Sequence, residues 1–219
     1  MIEKNLFLIR QKINQTCKIY HRNSSNINII AVSKTIMSEK IYEAINFGCK
    51  IFGENYIQEA KEKWNTIHFN NPEIELHFIG RLQSNKAKEA VALFDCIQTI
   101  DSEKLALAIA KETKKQHKNP KIFIQVNIGE EPQKSGIEPN KVNDFIKFCR
   151  NLDLNLIGLM CIPPANEHPA NYFALLKKIA DENDLLELSM GMSADFEDAI
   201  ALGSTYIRLG TAIFGERNL

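Results

Sequence analysis

The sequence carries no excess of either charge: 27 Lys and Arg stand against 27 Asp and Glu, a formal net charge of zero. A chain so balanced projects no long-range field that would draw in nucleic acid or an anionic membrane, although a local pocket for one small anion stays open. It also has no CxxC pair and no cysteine at metal-finger spacing to a histidine. Its five cysteines, Cys17, Cys49, Cys96, Cys149 and Cys161, are odd in number and scattered. That pattern reads as reduced, mostly buried thiols in a cytosolic protein. The first ten residues lack a signal-peptide layout, because charged and apolar residues alternate there. No apolar run is long enough to span a bilayer, and no Ser/Gly-rich linker divides the chain. These absences predict a soluble, cytoplasmic protein with neither nucleic acid nor membrane as partner.

What is present is an ordinary globular composition, 44% hydrophobic and 25% charged over 219 residues. That length is near the lower limit for a (β/α)₈ barrel. Two domains of roughly half the length each would satisfy it equally. A short β-branched apolar run followed by a stretch of helical periodicity recurs along the chain. The runs predict strands at 27–32, 50–52, 75–79, 96–99, 122–127, 156–161, 187–190 and 206–209. Helices are predicted at 39–47, 57–64, 87–94, 103–116, 141–151, 172–183 and 194–202, with one more at 3–20 ahead of the first strand. Ser38 and Ser193 stand before apolar stripes as candidate N-caps, while Gly48 and Gly203 follow as terminators. Eight strand–helix alternations imply parallel strands joined by crossovers. An open doubly wound sheet also fits, but no GxGxxG turn follows the first strand. The reading is an α/β fold, a single TIM-type (β/α)₈ barrel with an extra N-terminal helix, occupying residues 1–219 as one domain.

In such a barrel, binding groups collect in the loops after the strands. Ser33-Lys34-Thr35 follows the first strand, and Gly53-Glu54-Asn55-Tyr56 the second. Strand side chains alternate, so Ile30, Val32 and Lys34 share a face. If Ile30 and Val32 fill the barrel, Lys34 caps that column and aims its amine into the mouth. An amine above an apolar floor and near other cations has its ammonium disfavoured, which frees it for Schiff-base chemistry. A surface lysine just past a strand end is the other reading. The last two strands run into Gly191-Met192-Ser193 and Gly210-Thr211. There, backbone amides, a glycine and two hydroxyls could cradle a phosphate; simple helix capping and a tight turn would look the same. Arg208 shares a face with Gly210 and either points into that cavity or pairs with an acidic neighbour. The five histidines make no HExxH or facial-triad spacing, and His77, inside the third strand, reads as a packed barrel residue. No GxSxG, P-loop or paired nucleophile–base motif occurs.

These rim segments together resemble one family. They are Ala31-Val32-Ser33-Lys34-Thr35, Phe52-Gly53-Glu54-Asn55-Tyr56, Gly80-Arg81-Leu82-Gln83-Ser84-Asn85-Lys86, Lys134-Ser135-Gly136, Ser189-Met190-Gly191-Met192-Ser193 and Arg208-Leu209-Gly210-Thr211. In order, and over nearly the whole chain, they resemble the YggS/PROSC family of pyridoxal-phosphate homeostasis proteins. The resemblance implies a barrel similar to the N-terminal domain of alanine racemase, with pyridoxal 5'-phosphate (PLP) as cofactor. It implies an internal aldimine on Lys34, phosphate binding by Ser193, Gly210 and Thr211, Arg208 against the pyridine nitrogen, and Asn55 near the ring. The chain ends at Leu219, so the racemase's second domain and its tyrosine are expected to be lacking, which would leave a base on one face only. A guanidinium stays protonated and would keep the ring nitrogen neutral, a poorer electron sink.

The leading expectation is therefore a non-catalytic protein that stores or delivers PLP, with PLP-dependent apo-enzymes as possible recipients, and a monomer. The alternative is a small fold-type III PLP enzyme such as an amino-acid racemase. A third reading, a barrel enzyme for a sugar phosphate, would give Lys34 no part in ligand affinity.

Overall fold

The computed structural model describes residues 1–216. Helix α1 (Ile2–Ile19) precedes strand β1 (Asn28–Val32), and strands and helices then alternate: α2 (Ser38–Asn46), β2 (Ile51–Glu54), α3 (Ile57–Asn70), β3 (Glu75–Phe78) and α4 (Ala87–Leu93). The series continues with β4 (Cys96–Ile100), α5 (Glu103–Gln116), β5 (Lys121–Val126), α6 (Val142–Asn151) and β6 (Leu156–Cys161). It closes with α7 (Ala170–Asp181), β7 (Glu187–Ser189), α8 (Phe196–Ala201), β8 (Tyr206–Leu209) and α9 (Thr211–Phe214). The eight strands form one closed barrel in sequence order. Closure is made by β8 pairing parallel to β1, Asn28 opposite Tyr206 and Ala31 opposite Leu209. The expected α/β TIM-type barrel with its extra N-terminal helix is the fold observed.

The two-residue period of the strands sorts their side chains into two cores. Outward residues such as Phe52, Leu76, Phe78 and Ile97 are buried against the helices, where Trp64 of α3 and Ile41 of α2 meet them. Inward residues Ile30, Cys96, Phe123, Met160 and Tyr206 fill the barrel itself. Ile30 is fully buried there, as a floor below the end of β1 requires. Gly158 of β6 allows the closest approach: a Cβ there would stand 2.0 Å from the carbonyl oxygen of Glu187.

Some local expectations need correction. β2 extends through Gly53 and Glu54, which sequence alone assigns to a loop. Pairing with β3 holds them in register, Gly53 opposite His77 and Glu54 opposite Phe78, and that tertiary pairing overrides the low strand propensity of glycine. Helix α3 runs on to Asn70 rather than stopping at Trp64, because Ile67 continues its buried stripe. Neither predicted serine cap holds. Met37 is the N-cap of α2 and makes no side-chain cap bond, and Asp195 is the N-cap of α8. Both predicted terminators do adopt positive φ, 82° at Gly48 and 107° at Gly203. All five cysteines are buried and unbridged. Among the described residues no helix is long and apolar enough to cross a membrane, and no cluster of metal-ligating side chains occurs.

Candidate functional site

The C-terminal ends of β1, β2 and β8, with the loop after β7, enclose a cavity of about 320 Å³. Lys34, Asn55, Ser193, Arg208, Gly210 and Thr211 all line it. The fold thus brings the six sequence-predicted residues together. Lys34 and Val32 share this wall above the buried Ile30, so the alternation argument for β1 holds. A second cavity of about 250 Å³ adjoins it across Asn55, Ile79 and Ile162 and is lined on its far side by Arg81, Gln125 and Lys134.

Lys34 sits on a turn that its surroundings over-determine. The next residue, Thr35, has φ 63°, a left-handed conformation that costs a β-branched residue about 1–2 kcal/mol. Three groups hold the turn. The Thr35 amide donates to Glu59 Oε1, the Ser33 hydroxyl donates to Glu54 Oε1 at 2.7 Å, and Lys63 Nζ donates to the Ser33 carbonyl at 2.7 Å. Lys63 also pairs with Glu54 and Glu59, each at 2.8 Å. Glu54 has no solvent exposure and takes a further bond from Trp64 Nε1 at 3.0 Å. Sequence reading missed this cluster. Its only signals are a glutamate at a strand end and a Lys63–Glu59 spacing of one helical turn.

Ser193, in the loop after β7, and Thr211, the first residue of α9, line the same cavity. The Ala212 amide donates to Ser193 Oγ at 3.2 Å, which fastens the loop after β7 to the first turn of α9. Ser193 therefore ties the loop after β7 to α9 rather than capping α8. A Cβ added at Gly210 would meet only Val32, at 3.7 Å, an ordinary contact. No protein neighbour demands glycine there; the added carbon would instead occupy the cavity.

Arg208 is 5% exposed. It donates to Ser189 Oγ and to the Cys161 carbonyl, both at 2.8 Å. Burial lowers its pKa from the ordinary value, yet a guanidinium keeps its proton at any physiological pH. The acidic-partner reading of Arg208 is not what the structure contains: both acceptors are neutral. Asn55 Oδ1 is buried with no hydrogen-bond donor among the described residues. Its backbone presses on Gly80, where a Cβ would lie 2.2 Å from the Asn55 carbonyl oxygen. The orphaned acceptor thus stands at a fixed point on the cavity edge.

Residues 7–218 match the alanine racemase N-terminal domain family. Over its full length the chain is similar to proteins named pyridoxal phosphate homeostasis protein. The one from Pasteurella multocida strain Pm70 is 41% identical over 99% of this chain and 98% of its own, and that of Escherichia coli K12 is 37% identical over 99% and 97%. Among solved structures, PipY of Synechococcus elongatus PCC7942 with PLP bound has a TM-score of 0.85 at 32% identity, covering 98% of this chain and all of PipY. An alanine racemase of Clostridium difficile 630 shares the fold with a TM-score of 0.71 at 15% identity, and this chain covers 57% of it. The chain belongs to the alanine racemase N-terminal domain family and, within it, to the pyridoxal phosphate homeostasis proteins.

Proposed function

We propose that this protein binds PLP at the barrel mouth and serves intracellular PLP homeostasis, holding the cofactor on Lys34 and releasing it, without turning over a substrate. One observation carries the reading. An amine, a buried guanidinium and a glycine-and-hydroxyl loop pair converge on one cavity in a chain of this family.

The donor set fits the cofactor part by part. When bound, PLP supplies an aldehyde that an amine can hold as a Schiff base, with a ring that withdraws electrons from that linkage. Lys34 is the amine on the cavity wall, and the Ser33–Thr35 turn fixes its approach. Ser193 and Thr211 offer hydroxyl donors to a phosphate, and the missing side chain at Gly210 leaves it room. Asn55 Oδ1 has acceptor capacity to spare for a ring substituent. Arg208 keeps a permanent positive charge at the site, which disfavours a proton on a ring nitrogen beside it. A neutral ring stabilises a carbanion less well than a protonated one. We read residues 1–219 as one PLP-binding domain, monomeric and cytoplasmic, with PLP-dependent apo-enzymes as recipients. The balanced charge supports a protein without nucleic-acid or membrane partners.

The test has two arms. Titrating the apo-protein with PLP should produce an absorption band that is absent in Lys34→Ala; retention of the band in that variant would contradict the reading. The holo-protein should then exchange α-protons of L-amino acids slowly or not at all, whereas repeated turnovers would make it a racemase-like enzyme.

A further inference from the structure

Behind Arg208 the barrel interior contains an unbroken line of polar side chains. Arg208 donates to Ser189 Oγ at 2.8 Å, and Ser189 Oγ donates to Gln98 Oε1 at 2.6 Å. Gln98 Nε2 lies 2.8 Å from His77 Nδ1, and His77 Nε2 lies 2.8 Å from Glu75 Oε1. Lys121 Nζ closes the line on the same carboxylate at 2.9 and 3.1 Å. Glu75 and Lys121 open their strands, so the line runs from the cavity to the opposite end of the barrel. Ser189, Gln98 and His77 are all completely buried.

The chemistry of the two ends gives this line a single direction. Burial opposes the charge on Glu75, but the hydrogen bonds from His77 and Lys121, with the Lys121 ammonium, outweigh it and hold the carboxyl well below its ordinary value. Glu75 is therefore an acceptor only, and His77 must carry its proton on Nε2. Burial lowers the pKa of His77, so its Nδ1 is a bare acceptor facing the Gln98 amide nitrogen. That fixes the Gln98 oxygen toward Ser189, whose proton goes to Gln98 and whose lone pair takes Arg208. Flipping Gln98 would set its oxygen against the Nδ1 lone pair.

We propose that Ser189, Gln98 and His77 are positioning residues for Arg208, acting through this one-way chain and touching no ligand themselves. A polar line in a barrel core is costly unless every member is satisfied, and apolar side chains would fill the space without that cost. A carboxylate beside Arg208 would anchor the guanidinium more simply. It would also cancel its charge. The chain anchors it with neutral acceptors: no carboxylate is hydrogen-bonded to the guanidinium among the described residues, and Asp195 acts on it only through its charge. The proposal rests on the reading that the cavity holds PLP with its ring nitrogen toward Arg208.

Ser189→Ala removes one oxygen from the chain, and Gln98→Leu breaks it one link further back. The full-length variants would be titrated with PLP and the bound band followed across pH, with melting of the apo-protein in parallel. Loss of one anchoring bond is expected to weaken PLP binding about tenfold and to move the pH midpoint of the band. Borohydride should still attach the cofactor to Lys34. Should Gln98→Leu fail to fold, Ser189→Ala decides the matter alone. Wild-type affinity and wild-type spectra in a folded variant, whatever its melting temperature, would overturn the proposal while leaving the cofactor reading intact. A wild-type protein without a reducible band would overturn both.

Discussion

Lys34, Gly210 and Asn55 acquire meaning from what surrounds them. Lys34 could be read from sequence because strand alternation put it on the same face as Ile30 and Val32, and the structure keeps that face toward the cavity. Gly210 was legible both as a tight turn and as part of a phosphate cradle, with nothing local to choose between them. Its role follows from the space above it, since its one neighbour within ordinary contact is Val32. Gly210→Ala is therefore expected to leave the melting temperature within about 2 °C while lowering affinity for PLP about tenfold or more. Calorimetric binding beside a thermal melt would check it, and a large fall in stability would mean that the glycine serves the fold instead. Asn55 shows the limit of residue-scale reading. Nothing in the sequence indicates that its Oδ1 is buried without a donor among the described residues.

Elements place these residues through contacts that sequence spacing conceals. Helix α3 is longer than its periodicity predicts, and its second turn carries Lys63 to the back of the Lys34 turn. There, two carboxylates share one ammonium that is 12% exposed. Removing it with Lys63→Met strands the buried Glu54, and breaking a buried pair of this kind costs about 3–5 kcal/mol. Urea unfolding should register that loss, and the added change Glu54→Gln should recover part of it. Full stability in the single variant would show that the cluster is not holding the turn. Sequence did offer a signal for the interior chain. Strands of a parallel barrel, buried on both faces, read as apolar runs, so His77, Gln98 and Ser189 in mid-barrel are exceptions that call for partners. Which partners they have is set by the register of β3, β4, β7 and β8, and local pattern does not encode it.

At the scale of the molecule, barrel closure does the assembling. Pairing of β8 with β1 brings Arg208, Gly210 and Thr211 to the same cavity as Lys34 although most of the chain lies between them. The count of strand–helix units made the closed fold legible, whereas the site depended on the loops that closure brought together. The interior chain also predicts how the whole protein responds to acid. His77 has a lowered pKa when folded, so the unfolded chain binds more protons below the ordinary histidine range and stability falls as pH drops through it. Glu75, held well below its ordinary value, adds stability above the ordinary carboxylate range, and that contribution fades as pH falls toward its folded value. Both act in one direction. His77→Gln should flatten the upper part of the acid limb in a stability-versus-pH curve; an unchanged limb would mean that His77 is charged in the fold.

In the proposed function, one lysine at the end of β1 holds the cofactor. Mass spectrometry of peptides from the borohydride-reduced, PLP-loaded protein tests it most directly. A pyridoxyl-phosphate mass is expected on the peptide containing Lys34 and is expected to be absent from Lys34→Ala. Labelling that falls on other lysines with Lys34 unmodified would contradict it.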